Sequence, residues 1–160
     1  MRKSLPFVHC LMMGVAFLFA SAPGLFSQGS EAPDLALSKA IALEAFGDLS
    51  WFPCPDPLDF EGCHLTVLNG DPAQSNADVL FRMQPGTIAP EHWHSSAERM
   101  VLISGEMRVT YQGEEPSILK PGSYAYGPAE KPHMAECIGK EPCVLFIAFE
   151  KPVDTHVRDK

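Results

Sequence analysis

Two histidines and a glutamate stand within seven positions of one another in "GTIAPEHWHSSAERMVLISG", residues 86–105. Imidazole nitrogen and carboxylate oxygen both suit divalent first-row metals, but the same side chains also serve as satisfied polar groups in a loop. What separates the two readings is whether they point at one place. In a strand, side chains two apart share a face, so His92 and His94 project to one side and Trp93 to the other. The same alternation turns Glu91 and Arg99 away. Glu98 follows after only Ser95, Ser96 and Ala97, a loop short enough to return a carboxylate to the same point. His133 is a fourth candidate, from another strand, its approach stiffened by Pro128 and Pro132. The isolated His9, His64 and His156 lack such company and read as structural.

Rigid elements must hold these groups, and the sequence supplies short ones. Apolar and β-branched runs at 63–68, 77–83, 98–103, 107–111, 123–126, 133–137 and 143–149 alternate with Gly, Pro and Asn turn signals. That spacing predicts an all-β sandwich or barrel. Upstream, Asp34 precedes an alanine- and leucine-rich segment that Gly47 ends, which predicts a short N-terminal helix or arm over 34–46. Residues 51–62, "WFPCPDPLDFEG", hold Pro53, Pro55 and Pro57 and read as a loop clasping the domain.

At this point the chain resembles a known family. Gly86-x5-His92-x-His94-x3-Glu98-x6-Gly105 follows the first motif of the cupin superfamily position for position. Gly122-x5-Pro128-x-Glu130-x2-His133-x3-Cys137 is similar to its second motif, with Glu130 in place of a glycine and Cys137 in place of an asparagine. The resemblance covers about residues 78–150 and implies a double-stranded β-helix, the cupin jelly-roll barrel. It also implies one divalent metal ion held by His92, His94, Glu98 and His133. Iron, manganese, nickel, copper, cobalt and zinc all suit that set, and an octahedral ion would keep two open positions. A homodimer paired through an edge or outer sheet face is expected on the same ground.

Three functions fit such a site. The first is a metal-dependent oxidoreductase of dioxygenase type on a small oxygen-rich or aromatic molecule. The second is a non-catalytic, sensor-like module that binds a small ligand or metal, and the third a redox-neutral lyase or isomerase. Candidate barrel-lining residues are Phe81, Met83, Met100, Leu102, Met107, Tyr124, Tyr126, Phe146 and Phe149. Arg82 and Tyr126 are weak candidates for a general acid or base. Glu130 reads as a solvated loop acid, or as a second carboxylate at the mouth.

Composition narrows partners and compartment. Arg2 and Lys3, the apolar run at 11–20 and the small residues after it read as a secretory signal peptide over 1–29, cut between 22 and 29. An uncleaved anchor is the alternative, disfavoured because the apolar core is shorter than the ~20 residues a spanning helix needs. The chain has 12 basic and 20 acidic residues. Removing Arg2 and Lys3 leaves ten against twenty, a surface that repels nucleic acid and anionic lipid. The expected partner is a small molecule, with no membrane contact after cleavage and a secreted or periplasmic location. Cys54, Cys63, Cys137 and Cys143 remain, an even number that suggests disulfides, and proximity favours Cys54 with Cys63 and Cys137 with Cys143. Free thiols are the alternative, with Cys137 near the pocket. The expected organisation is a signal at 1–29, an arm and Pro-rich loop at 30–62, the barrel at 63–150 and a tail at 151–160.

Overall fold

The computed structural model describes residues 47–158. The expected signal peptide and the expected helix at 34–46 lie outside the described residues. Within them the chain forms β1 (Phe52–Pro53), β2 (Cys63–Asn69), β3 (Ala77–Met83), β4 (Ile88–Trp93), β5 (Glu98–Ser104) and β6 (Met107–Tyr111). There follow β7 (Ser117–Leu119), β8 (Tyr124–Gly127), β9 (His133–Cys137), β10 (Cys143–Phe149) and β11 (His156–Val157). Among the described residues no helix is long and apolar enough to cross a membrane.

Two antiparallel sheets make the barrel, one in the order β1-β2-β3-β10-β5-β8 and the other β11-β4-β9-β6-β7. Neighbours in each sheet come from distant parts of the sequence, as when β10 lies between β3 and β5 and β9 between β4 and β6. This is the jelly-roll architecture expected from the sequence. Alternation builds its core: Met100 and Leu102 of β5, Met107 and Val109 of β6, and Leu145, Ile147 and Phe149 of β10 turn inward and are buried. Burying each such side chain contributes roughly 1.5–3 kcal/mol.

Two segments read as irregular carry short strands. Despite its prolines the 51–62 loop contributes β1, which pairs Phe52 with Leu65 at the sheet edge, where a missing N–H is tolerated. The C-terminal tail contributes β11, which pairs His156 with Trp93. Both disulfide pairings expected from proximity are present. Cys54–Cys63 closes the Pro-rich loop, with Cα atoms 5.5 Å apart, and Cys137–Cys143 ties β9 to β10 at 5.7 Å.

Turn chemistry explains two motif positions. Gly105 has φ +80°, and a Cβ there would meet the backbone of Pro142 and Cys143 at 2.8 Å, so only glycine fits. Glu130, where the family motif has glycine, takes φ +61°. Its N–H bonds the His94 carbonyl at 2.8 Å, which holds this strained turn against the neighbouring histidine. The Glu130 side chain is exposed and does not line the cavity, so it is the solvated loop acid of the two readings.

Candidate metal centre

The site begins with an irregularity in β4. Pro90 has no N–H for the ladder, and the pairing with β9 slips by one residue between Ala89 and His92. That bulge lets Ala89 and His92, three positions apart, both face the interior. Unbroken alternation from Ala89 would instead have turned Glu91 and Trp93 inward. His92 then sits opposite His133, the first residue of β9. His94 lies just beyond the end of β4, and Glu98 opens β5 after the tight turn at 95–97. All four side chains are buried.

Each imidazole is oriented by a backbone carbonyl. His92 Nδ1 bonds Pro90 O at 2.6 Å and His133 Nδ1 bonds Lys131 O at 3.2 Å, while His94 Nδ1 bonds Asp154 O. A ring that donates its Nδ1–H carries its lone pair on Nε2, the form that ligates metal. One ligand nitrogen from each histidine lies within 4.8 Å of the others. The His94 and His133 Nε2 atoms are 3.5 and 3.6 Å from the two oxygens of Glu98. These gaps are long for hydrogen bonds. They suit atoms around a shared ion, since two ligands each ~2.1 Å from a metal sit roughly 3 Å apart at right angles.

Electrostatics agrees with this. Burial pushes the His92 pKa down to about 4 and that of His133 to about 3, with neighbouring histidines adding to the effect, so both rings are neutral at pH 7. Burial also raises the Glu98 carboxyl above its usual value. A cation among the four groups would favour its ionised form. Three neutral imidazoles and one buried carboxylate therefore fit a divalent metal.

The donors stand in the wall of a cavity of about 180 Å³. Most of its lining is apolar, including Val79, Phe81, Met100, Met107 and Phe149, and among the described residues no lysine or arginine lines it. Cys54, Pro55 and Leu58 of the disulfide-closed loop line it too, as do Val153 and Thr155 of the C-terminal segment. That segment also supports the site through Asp154, whose Oδ1 accepts the Ser95 N–H at 2.8 Å.

Other sequence expectations need correction here. Neither Arg82 nor Tyr126 lines the cavity. Arg82 falls between the inward Phe81 and Met83, and its guanidinium lies 4.2 Å from the centre of the Trp51 ring. Tyr124 and Tyr126 point outward from β8 and are 63% and 57% exposed, because Ala125 takes the inward position. Phe146 is likewise outside the lining, and Cys137 is in a disulfide away from the cavity. Glu91 lies 3.9 Å from Arg158, and Arg99 is bonded to Glu150, both on the outer side. His156 stacks on Trp93 and bonds Asp154 Oδ2 at 3.1 Å, consistent with a structural role.

The residue that sequence reasoning passed over is Tyr111, which lines the cavity. Its signal was present in the alternation of β6: Met107, Val109 and Tyr111 share one face. Burial and the nearby Glu98 carboxylate hold the phenol well above its ordinary pKa, so it keeps its proton.

The cupin domain family matches residues 79–149. No curated protein sequence is a significant match. Among solved structures, the lyase DddQ, a DMSP lyase from Ruegeria pomeroyi, is 20% identical with a TM-score of 0.57. The match covers 66% of this chain and 58% of that one. Oxalate decarboxylase from Bacillus subtilis is 25% identical at a TM-score of 0.53, over 63% of this chain and 29% of its own. The polyketide cyclase RemF from Streptomyces resistomycificus aligns over 78% of this chain and 87% of that chain, at 15% identity and a TM-score of 0.64. The jelly-roll fold, both motifs and the family match agree, and residues 79–149 of the chain form a cupin domain.

Proposed function

We propose that this chain is an exported, metal-dependent oxidoreductase of dioxygenase type, acting on a small aromatic molecule that carries one or two chelating oxygens. The observation that carries this reading is the cavity itself, in which three histidines and a glutamate face a mostly apolar space of about 180 Å³ without a cationic side chain. An apolar cavity of roughly 150 Å³ holds a benzene ring. The space therefore suits one substituted ring better than a compact oxygen-rich dianion. The two disulfides support export. The exposed tyrosines of edge strand β8 support the expected homodimer.

When bound, a divalent ion supplies Lewis-acid activation and, for a redox-active metal, electron transfer with dioxygen. The chain's own residues do the rest. His92, His94, His133 and Glu98 hold the ion, their rings fixed by carbonyls of β4, the 131–132 turn and the C-terminal segment. The apolar wall orients a ring and excludes water. A redox-neutral reading, lyase or cyclase, is favoured by the activities of DddQ and RemF. There the same residues would serve a metal acting only as a Lewis acid.

Elemental analysis tests the site: wild-type protein should carry one metal per chain, and His92→Ala/His94→Ala less than a tenth of that. Equal trace metal in both would sink the reading. Oxygen uptake with catechol-type substrates separates the two chemistries, because turnover without oxygen consumption would leave only the redox-neutral one.

A further inference from the structure

Tyr111 closes β6 directly opposite His133 in the ladder with β9, and its ring stacks on that imidazole with centroids 4.7 Å apart. Its hydroxyl is buried and has no hydrogen-bond partner among the described residues. Such a group destabilises a fold, so a buried donor left open beside a cavity points to a partner that arrives with the ligand. The fold also keeps space for the hydroxyl itself. A Cβ at Gly127 would fall 2.2 Å from the Tyr111 Oη and 2.9 Å from Glu98 Oε2, so only glycine there lets the phenol reach its place beside the carboxylate. Gly127 has no positive φ to explain it, which makes this room its reason for being glycine.

We infer that Tyr111 is the cavity's hydrogen-bond donor, its Oη–H donating to an oxygen of the molecule held beside Glu98. This rests on the metal-bearing site proposed above. The phenol fixes which oxygen-bearing edge of a ring faces the donors, while the apolar wall accepts the rest. With no lysine or arginine in the lining among the described residues, the phenol takes the part that a cation plays in sites for anionic ligands.

The test compares zinc-loaded wild-type protein with zinc-loaded Tyr111→Phe, titrated with 4-nitrocatechol and with pyridine. Pyridine has no acceptor left once its nitrogen is coordinated. Tyr111→Phe should bind 4-nitrocatechol about tenfold more weakly, the effect of one such hydrogen bond. It should bind pyridine equally, hold the same zinc and melt no lower than wild type. Equal 4-nitrocatechol affinities, or no binding to the zinc-loaded wild type, would overturn the assignment alone. A lower melting temperature would also overturn it, by showing that the hydroxyl is a structural tie. Failure of the wild type to take up zinc would overturn both this inference and the proposed site.

Discussion

His92 and His133 sit opposite each other in one ladder, and each is neutral because burial disfavours its charged form. In the unfolded chain both titrate near 6.5, so between about pH 4 and 6.5 the unfolded state binds up to two more protons through them. Glu98 is shifted the other way, since its raised value lets the folded state hold an extra proton above 4.5, and it offsets at most one of the two. The metal-free protein should therefore lose stability as pH falls below about 6.5, and between pH 5.5 and 4.5 the loss should reach about 1.4 kcal/mol per pH unit even with Glu98 counted in full. Urea denaturation of chelator-treated protein across that range measures the slope, and a flat profile would show that the rings are not buried neutral. His92→Gln/His133→Gln should flatten it.

The element that most directly shapes ligand access is the loop closed by Cys54–Cys63. It has little regular structure of its own apart from β1, yet Cys54, Pro55 and Leu58 line the cavity. A cross-link closing a loop of this size removes unfolded-state entropy worth roughly 2–3 kcal/mol, and here it also pins part of the cavity wall. Cys54→Ser/Cys63→Ser should lower stability by about that amount and weaken 4-nitrocatechol binding several-fold, while metal content stays at one per chain. Coupled loss of metal would mean that the loop supports the donors directly, contrary to this picture. The bulge in β4 is the other decisive element. Without its one-residue slip at Pro90, Ala89 and His92 could not face the same interior.

At the scale of the whole molecule, charge and cavity act together. The chain carries a net −8, and among the described residues its cavity has no cationic side chain to receive an acidic group. A carboxylate on the bound ring would have to leave water without a partner there, which costs several kcal/mol. Zinc-loaded protein should therefore bind catechol at least tenfold more tightly than 3,4-dihydroxybenzoate near neutral pH. A preference for the carboxylated ring would indicate a cationic contact that the cavity lining does not contain.

Much of this protein was legible in its sequence. Turn signals between short apolar runs specify an all-β chain, and the spacing of His92, His94, Glu98 and His133 marks their convergence, because strand period and short loops are local properties. Proximity likewise sufficed for the two disulfide pairings. Tertiary structure decided which side of several strands faces in. Parity is shifted by a bulge in β4 and in β8 sends Tyr126 to solvent, whereas the alternation of β6 already put Tyr111 on the face of Met107 and Val109. It decided the contributions of β1 and β11 as well. Their sequences carry little strand signal, and they pair only because a neighbouring edge offers unpaired backbone groups. Most of the cavity wall, and its lack of any cation, also come from side chains distant in sequence that meet only when the two sheets close.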